Sequence, residues 1–432
     1  MKLTWVFISI VLGIALVYAM RRDLEMDKEF GGDLRNRIVG ARLIKDGHSP
    51  YFYKWKPGDG TRYYDPQNFD SLKVANITAT PFFHHLLAPI ADLQQRRLSL
   101  LWVYIEYILF GITTLLAFKM SGSRAQQWAV AIVAVLFLFT EAWLVHIYVG
   151  QIYIFIPFLA MLFYFMVQWG RNLSFALVAG LIAASLIFIR PNTLFFFLAF
   201  LFLARQFSWQ YLLTLLTPML ILAIWSVTNK HEFSLWKDYK ANLSEQLKVH
   251  QALNPTIQQN TLRPHLISLE GIQVSPPEGS EIKKPVVLFS ENGNVFVIVE
   301  KLFHRKPSVG ALNILSLFCM VMVTALYYWR NHGSSYTLPS VALLGFTLYM
   351  ISDLFSPYHR LQYYAVQWLF PLYIAAAFYG LRERWWQVCI LVGLILNIVN
   401  IEWLKMEHTM GEYLMMASLY GIALTGKPKT NP

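Results

Sequence analysis

Charged residues are scarce in this sequence. Only 14% of its 432 residues are charged and 56% are hydrophobic, whereas roughly a quarter of the residues in a typical soluble domain are charged. A helix needs about 20 apolar residues to cross the hydrocarbon core of a bilayer, and several uncharged runs in the sequence are close to this length. These features exclude an ordinary soluble globular protein and predict an all-α polytopic membrane protein.

Cysteines and metal-binding motifs are also nearly absent. The two cysteines, Cys319 and Cys389, lie in apolar runs, where a free thiol behaves as a small hydrophobic group. Their spacing provides neither a disulfide framework nor a zinc motif. The sequence has no Asp-x-Asp pair, which disfavours a nucleotide-sugar site built around a metal ion. We therefore expect no metal and no other cofactor.

Basic residues are in excess, but they are not clustered. The net charge of +11 could indicate a nucleic-acid partner. Between Arg21 and Arg97, however, thirteen lysines and arginines are mixed with ten acids. We expect membrane lipids and phosphate groups, rather than nucleic acid, as partners.

Hydropathy predicts about eleven transmembrane helices in one membrane-embedded domain that covers residues 1–432. The first apolar run has no small-residue cleavage site, so we expect it to be retained as a span. The junctions at Gly150 and Pro191 indicate either tight helical hairpins or broken helices, and the segment 410–424 is too weakly apolar to be counted. The predicted spans are 3–20, 98–118, 128–149, 151–168, 174–189, 191–204, 210–228, 308–328, 337–354, 361–380 and 385–401.

Positive charges in short loops set the predicted orientation, because short loops rich in lysine and arginine stay on the cytoplasmic side. Such residues occupy alternate short connections, at Lys119, Arg124, Arg171, Arg205, Arg330, Arg382 and Arg384. The long loops 21–97 and 229–307 are then predicted to lie on the opposite face. The turns at Gly150, Arg190 and Ser356 lie on that face as well, so the polar residues gather there.

Both outer loops contain helical patterns, which predicts juxtamembrane helices on the outer face. In the first loop, residues 33–45 have one apolar face, and Gly47 is a stop signal. A segment rich in aromatic residues begins at Tyr51 and is typical of chain at the level of the lipid headgroups. The second loop is predicted to carry a surface helix at 235–250.

Asp33 is the candidate catalytic residue. It lies in the first outer loop, where a carboxylate can accept a proton from a hydroxyl group at the membrane surface, as a general base must. Aspartate is also a favoured residue at the N-cap of a helix. From the residues alone, both roles are open.

Two predicted turns carry polar groups that suit substrate binding. Gln151 lies between two apolar runs, and a polar group at membrane depth usually faces a cavity; a plain hairpin is the alternative. Arg190 and Asn192 follow an apolar helix, and the planar guanidinium fork suits phosphate oxygens. The alternative for Arg190 is that it only extends to the membrane interface.

Histidines near two other helix starts are further candidates. His359 and Arg360 stand side by side before a predicted span, where the helix amides could help them to neutralise a lipid phosphate. Interfacial anchoring is the alternative for this pair. His84 and His85 form a weaker pair, for which ordinary packing is open as well.

Read in order, these elements resemble glycosyltransferase family 87, a polytopic family of the GT-C type that includes polyprenyl-phosphate-mannose-dependent mannosyltransferases. The resemblance covers most of the membrane region. It rests on Gly32-Asp33-Leu34 leading to Ala41 and then Gly47-His48-Ser49-Pro50-Tyr51, on Thr80-Pro81-Phe82-Phe83 with Leu87-Ala88-Pro89, on Gly150-Gln151, on Arg190-Pro191, and on Ser356-Pro357-Tyr358-His359-Arg360.

The resemblance implies an inverting transfer of mannose, or another hexose or pentose, from a polyprenyl-phosphate donor to a lipid or glycan acceptor. Asp33 would be the base, and positive groups would stabilise the departing phosphate. A bacterial inner membrane, with the site on the periplasmic side, is the implied location. The predicted substrate-binding residues are Arg35, Arg37, Tyr51, His84, His85, Gln151, Arg190, Asn192, His359 and Arg360.

Two other function classes fit parts of the same pattern. A transporter of a lipid or small anion would use acidic groups such as Glu106, Glu141 and Asp353 along its path. Internal repeats, which transporters often have, are not visible in the sequence. A ligase or polymerase that moves whole glycans between lipid carriers would share the outer-face chemistry.

Overall fold

The computed structural model describes most of the chain. The described residues are 2–25, 32–53, 57–63, 77–170, 172–252, 266–267, 273–274, 293–305, 307–332, 336–356, 360–380, 384–399 and 407–426. Within these ranges the regular structure is helical, apart from one antiparallel pair of two-residue strands, Leu266–Ile267 and Gln273–Val274. The predicted all-α class is confirmed for this part of the chain.

Most of the described residues lie in helices. In chain order the α-helices are α1 (Lys2–Glu25), α2 (Gly32–Lys45), α3 (Pro81–Leu87), α4 (Gln95–Met120), α5 (Arg124–Leu138), α6 (Glu141–Val149), α7 (Phe155–Trp169), α8 (Leu173–Ile189), α9 (Leu194–Leu198), α10 (Trp209–Thr228), α11 (Lys230–Ala252), α12 (Val295–Phe303), α13 (Val309–Asn331), α14 (Leu338–Leu354), α15 (Leu369–Ile374), α16 (Arg384–Leu396) and α17 (Glu407–Thr425). Tighter 3₁₀ segments lie at Pro57–Asp59, Ala88–Ile90, Pro191–Thr193, Ala199–Gln206 and Gln362–Trp368, and a π segment lies at Ala375–Tyr379.

The chain divides into two compact units. The larger unit comprises Met1–Met26, Val103–Ile221 and Ser290–Pro432, and the smaller unit comprises Asp27–Trp102 and Leu222–Phe289. The organisation as one membrane-embedded domain stays a prediction.

Among the helices that the structure describes, three are long and apolar enough to cross a membrane, namely α4, α10 and α13. A fourth is added if α5 and α6 together count as one bent span. Four shorter apolar helices, Phe155–Trp169, Leu173–Ile189, Leu338–Leu354 and Trp385–Leu396, have between 10 and 17 residues. The helices establish an integral membrane protein, whereas the count of about eleven spans stays a prediction.

Small residues let the helices of the larger unit pack closely. A Cβ atom on Gly345 of α14 would lie 2.4 Å from the carbonyl oxygen of Phe196, and one on Gly180 of α8 would lie 2.2 Å from the carbonyl oxygen of Leu215. Backbones come this close only at small residues, which are common where helices pack inside membranes. α14 is accordingly buried along nearly its whole length.

The predicted span at 128–149 is in fact two helices, α5 and α6, that meet at a 55° bend. The bend frees backbone groups from the helical hydrogen-bond pattern, and other helices supply partners for them. Arg22 Nη2 donates to the carbonyl oxygen of Leu138 at 3.3 Å. The N–H of Glu141 donates to the carbonyl oxygen of Asn397 at 3.0 Å.

Two further predicted spans are not regular α-helices. The span at 191–204 consists of 3₁₀ and α segments that begin at Pro191, which lacks an N–H and so starts a new element. The span at 361–380 passes from 3₁₀ through α to π geometry. Conversely, the segment at 410–424, which hydropathy left uncounted, lies within α17.

The smaller unit contains α2, α3 and α11. α2 confirms the helix predicted at 33–45, and Gly47 follows it with a φ of 82°, a conformation that glycine adopts without steric cost. α11 includes the surface helix predicted at 235–250. Tyr51 is buried beside these helices, and its hydroxyl donates to the carbonyl oxygen of Ala79 at 2.9 Å.

Replacing Gly345 by alanine is expected to destabilise the larger unit, because the new methyl group would overlap the carbonyl of Phe196. Overpacking of this kind typically costs about 1–3 kcal/mol. Gly111 in α4 is the matched control, since a Cβ there meets nothing within 4 Å and alanine is favoured over glycine inside helices. Thermal unfolding in detergent should show a lower midpoint for Gly345→Ala only. Equal midpoints for the two variants would contradict the close packing.

Candidate functional site

Four charged side chains from separate parts of the larger unit meet in one place. Arg190 directly follows α8, Asp353 lies in the last turn of α14, Arg360 lies in the connection after α14, and Glu412 lies in α17. We refer to these four residues as the charged cluster.

Local sequence accounts for the position of Arg190. α8 ends at Ile189 because Pro191 cannot continue the helix. Arg190 is therefore in extended conformation, with φ −142° and ψ 95°. Asp353 is different, because a carboxylate is disfavoured at the C-terminal end of a helix. Its position is explained by its partners instead.

Ion pairs and hydrogen bonds hold the charged cluster together. Asp353 Oδ1 accepts from Arg190 Nη2, and Asp353 Oδ2 accepts from Arg360 Nε at 3.0 Å. Arg360 Nη1 also donates to Glu412 Oε2. Asn192 Nδ2 lies 3.4 Å from Asp353 Oδ1, as a weaker donor. Two arginines thus face two carboxylates, and their formal charges cancel.

Arg190 is the most accessible member of the charged cluster. Its side chain is 20% exposed, whereas the side chains of Asp353 and Glu412 are each 4% exposed and that of Arg360 is 3% exposed. Arg190 Nη1 donates to the Tyr153 hydroxyl at 3.0 Å, and its Nε has no hydrogen-bond partner among the described residues. Since a guanidinium has five N–H groups, Arg190 keeps donors that could bind an anion.

Both guanidinium groups lie against tyrosine rings. The guanidinium carbon of Arg190 lies 4.9 Å from the ring centre of Tyr153 and 5.2 Å from that of Tyr364. The guanidinium carbon of Arg360 lies 5.4 Å from the ring centre of Tyr364. Such cation–π contacts attract the cation to the ring face, so they restrict both arginines.

Gln151 occupies the turn between α6 and α7. Gly150 has a φ of 67°, which permits the sharp turn, and the N–H of Gln151 donates to the carbonyl oxygen of His146 at 3.0 Å. The predicted tight turn is therefore confirmed. The Gln151 side chain is buried, and its contact with substrate stays a prediction.

Asp33 lies in the first turn of α2 and is half-buried. The partial positive charge at a helix N-terminus favours a carboxylate in this position. Arg35 is half-buried and Arg37 is buried, and they follow Asp33 by two and four residues along the same helix. The catalytic role of Asp33 and the phosphate-binding roles of Arg35 and Arg37 stay predictions.

His84 joins α3 to α2. Its Nδ1 lies 3.0 Å from the carbonyl oxygen of Arg37 and donates to it, because a carbonyl can only accept. The ring packs against Gly40, where a Cβ would lie 2.3 Å from the ring carbon Cε1. Burial lowers the pKa of His84 to about 3, so the ring is neutral near pH 7. These contacts fix α2, which carries Asp33.

Tyr51 and His85 lie near His84 in the smaller unit. The ring centre of Tyr51 is 6.2 Å from that of His84, and burial raises the pKa of the Tyr51 hydroxyl. His85 Nε2 lies 2.7 Å from Glu232 Oε1, with 36% of the His85 side chain exposed and 4% of that of Glu232. The predicted substrate contacts of Tyr51, His84 and His85 stay predictions.

The structure places the predicted site residues in two groups. The larger unit contains Gln151, Arg190, Asn192 and Arg360. The smaller unit contains Asp33, Arg35, Arg37, Tyr51, His84 and His85. His359 lies outside the described residues.

Sequence reasoning missed several members of the larger group. The sequence indicates Asp353 only as an acidic group along a transport path, and it does not indicate Glu412, because hydropathy does not count the segment 410–424 as a span. Tyr153 follows the predicted Gln151 turn by two residues, and Tyr364 follows Arg360 by four. An acid placed just inside the end of an apolar run is the one local signal that could have indicated Asp353.

No group of three or more histidine, cysteine, aspartate or glutamate side chains that could hold a metal ion occurs among the described residues. The arrangement of the charged cluster instead suits the binding of an anion by hydrogen bonds. The expected absence of a cofactor stays a prediction.

These observations define an integral membrane protein whose charged groups gather at the ends of apolar helices. The sequence model of glycosyltransferase family 87 matches residues 78–357, which is more than half of the chain. The chain therefore belongs to glycosyltransferase family 87, as the resemblance indicated, and it is a membrane glycosyltransferase. Comparisons with curated proteins and with solved structures returned no match.

The matched segment includes only part of the predicted site. Within it lie His84, His85, Gln151, Arg190, Asn192 and also Asp353. Before it lie Asp33, Arg35, Arg37 and Tyr51, and after it lie His359, Arg360 and Glu412.

Acid is expected to destabilise the smaller unit through His84. The pKa of His84 is about 3 in the folded protein and 6.5 in the ordinary case, so the unfolded chain binds the proton first as the pH falls. The contribution of neutral His84 to the free energy of unfolding is complete above pH 6.5. It decreases as the pH falls, by about 2 kcal/mol between pH 6.5 and pH 5.

Thermal unfolding of wild type and His84→Asn at pH 7 and pH 5 measures this effect. Asparagine keeps a donor for the carbonyl of Arg37 but does not titrate. The midpoint should therefore fall further between the two pH values in the wild type than in the variant. An equal decrease in both proteins would contradict the assignment to His84.

Proposed function

We propose that the protein transfers a monosaccharide from a polyprenyl-phosphate donor to a lipid or glycan acceptor, with inversion at the anomeric carbon. Mannose, or another hexose or pentose, is the proposed sugar. The observation that carries the proposal is Arg190, a partly exposed guanidinium with five N–H groups. Asp353 and two tyrosines hold it at the end of an apolar helix. Such an arrangement suits a phosphate attached to a membrane-embedded chain.

Arginine suits the phosphate of such a donor for two reasons. The guanidinium fork matches phosphate oxygens in two parallel hydrogen bonds. Charge on the phosphate grows as the bond to the sugar breaks, so a fixed positive group lowers the energy of the transition state more than that of the ground state. Polyprenyl phosphate leaves as an anion, and the departure therefore needs no acid.

Arg360 has a different place in this proposal. It is buried, and its guanidinium donates to Asp353 and to Glu412. We therefore assign it to the support of the phosphate site, with Arg190 as the direct ligand. His359 remains a proposed phosphate ligand on the basis of the family resemblance. Arg35 and Arg37 remain proposed phosphate ligands because they are positively charged and lie on the same loop as Asp33.

Asp33 is the proposed general base. The acceptor oxygen forms a bond to the anomeric carbon from the face opposite the phosphate, the carbon–oxygen bond to the phosphate breaks, and Asp33 takes the proton of the acceptor hydroxyl. The support for this role is the half-buried carboxylate in the first turn of α2. α2 is held firmly, since Arg42 Nε donates to the carbonyl oxygen of Ala91 at 2.6 Å and His84 bonds Arg37. A base on a rigid element keeps its geometry.

The membrane arrangement is part of the proposal. We propose a GT-C-type fold with about eleven spans, in which the shorter apolar helices cross together with α4, α10 and α13. The alternating lysine and arginine loops support an extracytoplasmic site. A bacterial inner membrane, and an acceptor that belongs to a cell-envelope glycan, follow from the family resemblance.

A transporter is the second candidate, and one observation favours it. Glu106 and His146 lie 3.3 Å apart, with their side chains fully buried among the helices. Ionisable groups inside a membrane protein often line a path for ions or substrates. A transporter would not depend on the carboxylate of Asp33.

Asp33→Asn is expected to slow turnover strongly without loss of donor binding. Purified protein is incubated with radiolabelled polyprenyl-phosphate mannose and a membrane extract, and labelled glycolipid is counted. The wild type should transfer label, and the variant should lose about 10²- to 10⁴-fold in rate, as is usual when a general base is removed.

Asp46→Asn is the matched control in the same outer loop. Asp46 forms exposed ion pairs with Arg62, and such pairs contribute little, so the activity of this variant should stay close to that of wild type. Full turnover by Asp33→Asn would contradict the enzymatic role. Failure of wild type to use any polyprenyl-phosphate monosaccharide would favour the transporter or the ligase.

Arg190→Gln is expected to lower kcat/KM for the donor by about 10²- to 10³-fold, as the loss of one transition-state donor does elsewhere. Asp353 keeps Arg360 as its partner in this variant, so the protein should still fold. Arg190→Lys retains the charge but not the fork, and it should recover part of the activity. Equal kcat/KM values for wild type and Arg190→Gln would rule out Arg190 as the phosphate ligand.

A further inference from the structure

Glu412 is a buried carboxylate that the proposed mechanism does not use. It lies in α17, beyond the segment 78–357 that matches the family. Its side chain is 4% exposed, and a charge removed from water to this extent is costly unless it has a partner. Its charged partner is Arg360, whose Nη1 donates to Glu412 Oε2.

Arg360 connects Glu412 to the rest of the charged cluster. Its guanidinium donates from Nη1 to Glu412 and from Nε to Asp353 Oδ2 at 3.0 Å. It is 3% exposed and lies over the ring of Tyr364. A planar group held on two edges and one face cannot rotate without losing one of these contacts, so Glu412 is one of the groups that fix its orientation.

Asp353 links the position of Arg360 to that of Arg190. One oxygen of its carboxylate accepts from Arg360 and the other accepts from Arg190. The two arginines thus share one carboxylate. If Glu412 no longer held Arg360, the fork of Arg360 could take both oxygens of Asp353, because bidentate pairing is the favoured geometry of arginine with a carboxylate. Arg190 would then lose its anchor.

We propose that Glu412 is a positioning residue for the phosphate-binding Arg190, and that it acts through Arg360 and Asp353. The inference rests on the proposed function, because the phosphate is taken to be that of the polyprenyl donor. The C-terminal helix α17 is thereby part of the donor site, although it contributes no residue that contacts the donor.

The test compares Glu412→Gln with Glu407→Gln. Glutamine keeps the size of the side chain and an oxygen that can accept from Arg360, but it removes the charge. Glu407 is the matched control, because it is also a buried acid of α17. Glu412→Gln should raise the KM for the polyprenyl-phosphate donor about tenfold, an ordinary coupling for charges in one network, with the KM for the acceptor unchanged. Glu407→Gln should leave the donor KM as it is in wild type.

A second measurement does not depend on sugar transfer. Phenylglyoxal modifies accessible guanidinium groups, and mass spectrometry of the labelled protein reports the rate at Arg190. That rate should rise several-fold in Glu412→Gln and not in Glu407→Gln. If Glu412→Gln does not fold, Glu412→Asp keeps the charge with a shorter reach and should change both quantities in the same direction.

The outcomes separate the inference from the proposed function. An unchanged labelling rate at Arg190 in Glu412→Gln, or a donor KM equal to that of wild type, would overturn the positioning role. A faster labelling rate together with no transfer by wild type would support the link from Glu412 to Arg190 and reject the polyprenyl-phosphate donor. A rise in donor KM accompanied by faster labelling supports both.

Discussion

A charge buried among apolar helices must find a partner, and this requirement organises the larger unit. Removal of an ion from water costs several kcal/mol unless an opposite charge and hydrogen bonds compensate. In the charged cluster the compensation comes from residues that are far apart in the chain, from Arg190 after α8 to Glu412 in α17. The cluster is complete only when α8, α14 and α17 are all packed. The position of the Arg190 guanidinium, the most accessible group of the cluster, therefore depends on the packing of these three helices.

Local properties of the chain were readable from the sequence, and pairings between distant segments were not. Apolar runs and stop signals indicated most helices, including α2 with its terminal Gly47. The bend after Leu138 was not visible, because its stability depends on Arg22 and Asn397. α17 was left uncounted for a related reason. Its acids lower the local hydropathy, and one of them, Glu412, is the residue that ties this helix to the cluster.

The candidate site shows the same division between residue type and surroundings. Residue type indicated that Arg190 is suited to bind a phosphate and that Asp33 is suited to accept a proton from a hydroxyl group. Residue type could not distinguish His84 from His85, because a histidine that binds substrate and a histidine that packs in the core are the same residue in a sequence. Their surroundings differ: His84 is buried with a lowered pKa against the backbone of α2, while His85 is partly exposed beside Glu232. Family membership indicates the class of reaction, and the described contacts show which side chains are held in place.

The bend between α5 and α6 behaves as a rigid corner. A break in a helix within an apolar region leaves carbonyl and amide groups that neither lipid nor hydrocarbon side chains can satisfy. Here α1 supplies one missing donor and the end of α16 supplies one missing acceptor. Straightening the bend would return both backbone groups to the helical pattern, but it would take these partners away from the Arg22 guanidinium and the Asn397 carbonyl. A movement of this corner would therefore break its contact with α1 or its contact with Asn397.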